Sequence, residues 1–246
     1  MGSVQRFTAK VGEIRQLTHD VRQIDLELIE PREIAFKPGQ FVSFEVPDAR
    51  TGRMVTRPYS IASPPDSPHR ISLLLNFVPR GPGSTYLFGL REGDTTNFAG
   101  PAGNFHLRED PARSLLMVAT GTGIAPIRSM LLANSGRPKP NRATLLWGLR
   151  SERDLYYENE LTRLSLQHPE FSFTITLSRP QSDWSGVTGR VTSLVEERVN
   201  NVKELAVYLC GNSGMIQEVT GIIQKKGLCP IYREKYYDDA GENGGF

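Results

Sequence analysis

Four short segments of this chain combine residue types that could hold a phosphorylated, ring-bearing ligand. Arg57-Pro-Tyr-Ser-Ile-Ala-Ser63 is the first. A guanidinium can pair with a pyrophosphate, a phenol can lie against a ring or sugar, and a hydroxyl can reach a ring nitrogen. The same letters also describe a surface arginine beside an ordinary strand. In Gly81-Pro-Gly-Ser-Thr85, glycines would let backbone N–H groups approach a phosphate at a helix start. Taken alone, a plain turn with Ser84 as N-cap is the favoured reading. Leu115–Pro126 runs an apolar strand through Gly121 and Gly123 toward a helix. It departs from G-x-G-x-x-G because proline holds the last position, so a tight strand–helix turn also explains it. Leu205–Met215 repeats the pattern through Cys210-Gly211. A lone cysteine there is either a small core residue or a site residue at a sheet edge.

These segments need elements to position them. Phe41–Val46 alternates apolar and polar residues after the turn signal Lys37-Pro-Gly39, and Ile71–Val78 is a second strand pattern. With a short helix over Ser84–Leu90, several strands separated by turns predict an antiparallel β-barrel over residues 1–110. The pattern changes near Arg108-Glu-Asp-Pro111. Strands at Leu115–Ala119, Ala143–Leu149, Phe171–Leu177 and Leu205–Cys210 then alternate with helices at Ile127–Ala133, Tyr156–Leu166, Val191–Val199 and Met215–Lys226. That order predicts a doubly wound α/β parallel sheet over residues 111–246. Asn134–Asn141 reads as a polar loop and Asp238–Phe246 as a loose tail.

Composition removes several classes. At 246 residues with 38% hydrophobic content, the chain can bury one large or two modest cores. The formal charge of +2 is spread evenly over both halves, so no nucleic-acid-binding stripe is expected. No apolar run reaches the roughly 18–20 residues of a membrane span. The start, Met1-Gly2-Ser3, has no signal-peptide core and a weak case for myristoylation. Two cysteines, Cys210 and Cys229, fall short of the about four thiolates an iron–sulfur cluster needs, and no metal site is expected. A disulfide framework is equally unexpected, which fits a reducing cytoplasm.

Taken together and in this order, Arg57-Pro-Tyr-Ser60, Gly121-Thr-Gly-Ile-Ala-Pro126 and Cys210-Gly211 with Met215 resemble the ferredoxin–NADP reductase family over roughly residues 5 to 237. The resemblance implies an FAD-binding barrel followed by a nicotinamide-nucleotide domain. It implies that Arg57 pairs with the FAD pyrophosphate, that Tyr59 packs on the flavin or ribityl chain, and that Ser60 hydrogen-bonds near flavin N5. Gly83, Ser84 and Thr85 look like a second pyrophosphate clamp, with Val78 adding backbone contacts. Gly100-Pro-Ala-Gly103 resembles the turn that closes the flavin domain. In the second domain, Thr122 and Gly123 would approach the dinucleotide, and Cys210, with Gly211 and Met215, would stand near the nicotinamide. Cys210 would position that ring rather than act as a nucleophile, since no base lies in its motif.

The resemblance also frames the remaining expectations. A 2′-phosphate wants guanidinium groups, and Arg150, Ser178-Arg179 and Arg190 are candidates, which favours NADPH over NADH. Each could also be a solvated strand-end arginine. Glu234-Lys-Tyr-Tyr237 resembles the aromatic ending of plant-type members, with Tyr237, Tyr236 or Phe246 shielding the flavin. Glu234 is a possible proton relay, or else an exposed ion-paired carboxylate. The implied activity passes hydride from NADPH to FAD and single electrons to a ferredoxin- or flavodoxin-like carrier, in either direction. Alternatives are a reductase component of an oxygenase system, a free-flavin reductase using NAD(P)H, and a non-catalytic flavin-binding subunit. The oligomeric state is not legible.

Overall fold

The structure is a computed structural model that describes residues 5–110, 112–138 and 140–237. The expected tail over 238–246, with Phe246, and the Met1-Gly2-Ser3 start lie outside the described residues. Two compact units are found. One runs to Leu107 and includes Arg128–Ala133; the other takes Arg108–Ile127 and the chain from Asn134 onward.

The first unit contains β1 (Gln5–Gln16), β2 (Val21–Glu30), β3 (Phe41–Asp48), β4 (Arg53–Ser60), β5 (Arg70–Asn76), α1 (Pro82–Gly89) and β6 (Thr95–Ala102). Its six strands form one antiparallel sheet in the order β4-β3-β6-β1-β2-β5. The sheet curls because the chain leaving β4 pairs back onto β5. Ile61 bridges to Leu73, and the Ala62 N–H donates to the Ser72 carbonyl at 2.8 Å. Edges that meet leave few ladder groups unpaired, as the barrel expectation required. Alternation in β3 turns Val42, Phe44 and Val46 fully inward. There they join Phe7, Ile24, Leu26, Ile71, Leu73 and Leu87 in one core. β3 runs two residues past its expected end, through Pro47, because it pairs with β6 only near Phe41 and Ser43. The missing N–H of Pro47 therefore costs no ladder bond.

Three local expectations need correction. β5 ends at Asn76 rather than Val78, because the Gly81 N–H closes a turn onto the Val78 carbonyl at 2.9 Å. α1 starts at Pro82, with Gly81 as N-cap, so Ser84 lies inside the helix instead of capping it. Proline at the first helical position gives up an N–H that had no partner there anyway. Gly100, Pro101 and Ala102 belong to β6, and only Gly103 lies beyond the strand.

The second unit contains β7 (Ser114–Thr120), α2 (Ile124–Ser135), β8 (Ala143–Leu149), α3 (Glu158–Gln167), β9 (Phe171–Leu177), β10 (Val187–Thr188), α4 (Val191–Arg198), β11 (Leu205–Asn212), α5 (Ser213–Lys226) and β12 (Ile231–Tyr237). All strand pairs are parallel, in the order β10-β9-β8-β7-β11-β12. The chain steps outward from β7 through β8 and β9 to β10, then returns to lay β11 on the other side of β7. The order reverses between β7 and β11, where open α/β sheets form a crevice at the carboxyl ends of the strands. β7 reads as a nearly unbroken buried run because helices cover both faces of such a sheet.

α2 begins three residues earlier than the sequence suggested, with Pro126 in its first turn where proline is tolerated, and it extends to Ser135 into the expected loop. α3 begins at Glu158, because Tyr157 adopts a left-handed φ of 57° that no helix interior allows. Glu234–Tyr237 is not a detached ending. It is the end of β12, the edge strand paired with β11.

Candidate functional site

In the first unit, the alternation of β4 puts Arg57 and Tyr59 on the same face, two residues apart. Phe44, opposite Arg57 in the β3–β4 register, packs edge-on against the Tyr59 ring with centroids 5.9 Å apart. Helix α1 approaches them so closely at Gly83 that an added Cβ would run into the Tyr59 hydroxyl and lie 3.0 Å from Arg57 Cβ. Arg57, Tyr59 and the first turn of α1 therefore form one cradle. Burial pushes the Tyr59 hydroxyl up to about 12, with the Arg57 charge opposing, so it is a neutral donor near pH 7. Arg57 is half-buried, and among the described residues its side chain bonds only the neighbouring Thr56 carbonyl, at 2.9 Å. Among the described residues it joins no ion pair, which leaves its charge for an anion. Ser60, at the end of the same strand, is 4% exposed.

Ser84 is committed elsewhere. Its hydroxyl accepts from the Val78 N–H at 3.1 Å and lies 3.0 Å from the Val78 carbonyl, which it can donate to. It shapes the Val78–Gly81 turn. Val78 itself is 48% exposed beside Phe77, and Thr85 is exposed with its N–H on the Gly81 carbonyl at 2.9 Å.

In the second unit, the Gly121-Thr-Gly123 turn after β7 and the Cys210-Gly211 end of β11 come together at the switch point. A Cβ on Gly123 would strike the Cys210 carbonyl, and one on Gly211 would strike the Thr120 hydroxyl. Thr120 Oγ1 also accepts from the Asn212 N–H at 3.2 Å, tying the two strand ends. Thr122 is 5% exposed, and Met215, in the first turn of α5, is likewise 5%. The Met215 N–H donates to the Asn212 side chain at 2.7 Å, which caps α5.

Cys210 is fully buried and sits in register between Ala119 and Glu234. Burial drives its thiol well above the ordinary range, repulsion from Glu234 adds to this, and the neighbouring Tyr236 hydroxyl opposes it. A neutral thiol here presents a small apolar surface and no nucleophile. The structure thus brings together Thr122, Gly123, Cys210, Gly211, Met215 and Glu234. Tyr237 ends β12 opposite Asn212, and its side chain lies outside the described residues.

Arg150, Ser178, Arg179 and Arg190 gather at the carboxyl ends of β8, β9 and β10. The Ser178 N–H donates to Leu149 at 3.0 Å and the Arg179 N–H to Arg150 at 2.7 Å, while Arg190 is the N-cap of α4. All four are exposed. Sequence reasoning passed over Phe44, Thr120, Trp147 and Tyr156; nothing in one sequence pairs Trp147 or Tyr156 with the Gly121 carbonyl, to which both side chains donate. Tyr236 was named as a flavin shield, not as a neighbour of Cys210.

Residues 8–107 match the family of oxidoreductase FAD-binding domains, and residues 117–221 that of oxidoreductase NAD-binding domains. Among characterised proteins, ferredoxin–NADP reductase B of Sorangium cellulosum is 34% identical over 225 residues, covering 89% of this chain and 91% of the relative. The toluate 1,2-dioxygenase electron transfer component of Pseudomonas putida is 33% identical over 94% of this chain, which spans only 67% of that relative. The crystal structure of the Amycolatopsis cytochrome P450 reductase GcoB is similar with a TM-score of 0.85 at 28% identity, covering 97% of this chain and 71% of the other. The cradle beside Arg57 and the glycine-lined crevice between β7 and β11 fit an FAD and a nicotinamide dinucleotide in kind: one offers a cation and an aromatic face, the other closely approaching backbone.

Proposed function

The chain belongs to the ferredoxin–NADP reductase family, and on that premise we propose that it oxidises NADPH, with NADH less favoured, and passes electrons singly through FAD to a separate ferredoxin- or flavodoxin-like carrier. The observation that carries this is the pairing, in one chain, of a cationic aromatic cradle on the barrel with a glycine crevice at a sheet switch point. When bound, FAD supplies the conversion between two-electron and one-electron chemistry, and the protein's part is positioning and electrostatics.

Arg57 neutralises the FAD pyrophosphate, helped by the amide-rich start of α1 at Gly83, with Thr85 at its rim. Tyr59 lies against the flavin or ribityl chain, Val78 adds backbone contacts, and Ser60 donates toward N5. Ser84 acts through the turn it holds. In the crevice, Thr122 and Gly123 admit the dinucleotide pyrophosphate. Cys210, with Gly211 and Met215, forms the wall that sets the nicotinamide's distance, and Glu234 is the candidate to relay a proton to the reduced flavin. Arg150, Ser178, Arg179 and Arg190 take the 2′-phosphate. The FAD domain comprises residues 1–110 and the nucleotide domain residues 111–246. Two free cysteines support a cytoplasmic setting.

A second reading differs only in the acceptor. Several relatives are oxygenase electron transfer components, and this chain spans about two thirds of their length, for example 66% of the naphthalene 1,2-dioxygenase reductase component of Pseudomonas putida. Stopped-flow reduction by NADPH and by NADH, followed by mixing with ferredoxins, flavodoxins and free flavin, tests both. Fast flavin bleaching followed by single-electron reduction of a carrier is expected. FAD lost on gel filtration together with turnover of free flavin would identify a free-flavin reductase. A colourless protein inert to both nucleotides would identify a non-catalytic subunit.

A further inference from the structure

The Gly121-Thr-Gly123 turn is held by a feature that glycine alone does not provide. Gly121 has φ of 51°, a conformation glycine enters freely and leaves as freely. Two side chains from outside the turn converge on its carbonyl oxygen. The Trp147 indole N–H, at the end of β8, donates at 3.0 Å, and the Tyr156 hydroxyl, just before α3, donates at 3.1 Å. The Ile124 N–H also points at this oxygen. Trp147 is fully buried and Tyr156 is 6% exposed, and their rings meet edge to face with centroids 4.8 Å apart. Each ring therefore fixes the other's donor. Because a peptide unit is planar, anchoring the Gly121 carbonyl also fixes the rotation of the whole Gly121–Thr122 peptide.

We propose that Trp147 and Tyr156 are positioning residues for nicotinamide-dinucleotide binding: their two donors on the Gly121 carbonyl lock the turn into the one shape that accepts the pyrophosphate. The inference rests on the reading of this crevice as the dinucleotide site. Both act through the turn. In a water-excluded setting, losing one of these donors loosens the hold on the glycine peptide, so the cost falls on nucleotide binding before any other property. A neutral hydrogen bond of this kind corresponds to roughly a tenfold change in an equilibrium constant.

Tyr156→Phe removes one oxygen and keeps the ring. Steady-state reduction of ferricyanide by NADPH and by NADH is measured with FAD content and melting temperature. For Y156F the proposal expects KM for the nucleotide to rise about 5–10-fold, kcat to stay within about twofold, and bound FAD to be unchanged. Trp147→Phe, which also deletes buried volume, is expected to add a further KM increase. Should W147F not fold, Y156F alone decides. An unchanged KM in folded Y156F overturns the proposal. So does a parallel fall of kcat, FAD content and melting temperature, because that marks general structural damage. A wild-type protein that oxidises neither nucleotide overturns the reading of the crevice itself. An active wild type with an indistinguishable Y156F overturns only the role assigned here.

Discussion

On the proposed function, the barrel cradle and the parallel-sheet crevice would solve a similar recognition problem with different materials. On the barrel, the groups offered to a ligand are side chains carried out from a strand. Arg57 supplies charge, Tyr59 supplies a ring, and Phe44 braces that ring from within the core. At the switch point the material is backbone, brought together because Gly123 and Gly211 have no Cβ, and Cys210 at its centre is buried and neutral. A charged site tolerates small displacements, since Coulomb attraction falls slowly with distance. A site built from backbone contact does not, since overlap rises steeply. The two regions should therefore fail differently when altered.

The largest effect is expected where contact is tightest. Gly123→Ala drives a methyl into the Cys210 carbonyl and should lower kcat/KM for NADPH by about 100-fold, while the flavin spectrum stays intact. Steady-state kinetics beside an absorption scan check this, and a near-normal rate would break the contrast. Next comes the cradle. Arg57→Ala removes a charge-assisted partner and should weaken FAD retention by about 10–100-fold, read as flavin released on dialysis. Reactivity with nicotinamide nucleotide should recover when FAD is added in excess. Loss of nucleotide reactivity that excess FAD does not restore would show that the cradle is not an independent site.

A smaller effect sharpens the comparison at the rim. Arg179→Glu should shift the NADPH-to-NADH ratio of kcat/KM toward NADH by about tenfold, leaving FAD content alone. An unchanged ratio removes Arg179 from the 2′-phosphate site. The smallest effect concerns pH. Tyr59 titrates at 10.0 when unperturbed and at about 12 when folded. The folded state thus keeps a proton that the unfolded chain gives up. The associated stability is complete below about pH 10 and is lost as pH rises toward 12, at most about 2–3 kcal/mol in all. Chemical denaturation at several alkaline pH values should show this slope, and Tyr59→Phe should flatten it.

Several of these features were legible in one dimension. The apolar alternation of β3, the near-continuous apolar run of β7 and the repeated strand–glycine–helix pattern announced a barrel followed by a doubly wound sheet. Arg57-Pro-Tyr-Ser60 and Cys210-Gly211 singled out the two site regions. Boundaries were less legible. α1 begins at Pro82 because a fixed φ suits the first helical position, although Ser84 looks the better cap. β12 escaped notice because Ile231–Tyr237 mixes charged and aromatic residues, as an edge strand can. β10, with two residues, has no period to detect.

What the sequence alone determined was local: residue types, their periodicity and the glycines that permit close approach. Which backbone atoms those glycines admit was decided only by tertiary structure. Trp147 and Tyr156 reach the Gly121 carbonyl, and Glu234 stands beside Cys210, because a parallel sheet aligns strand ends from distant parts of the chain. Sequence separation carries no information about such neighbours. Strand order sets them, and strand order is a property of how the whole core is buried.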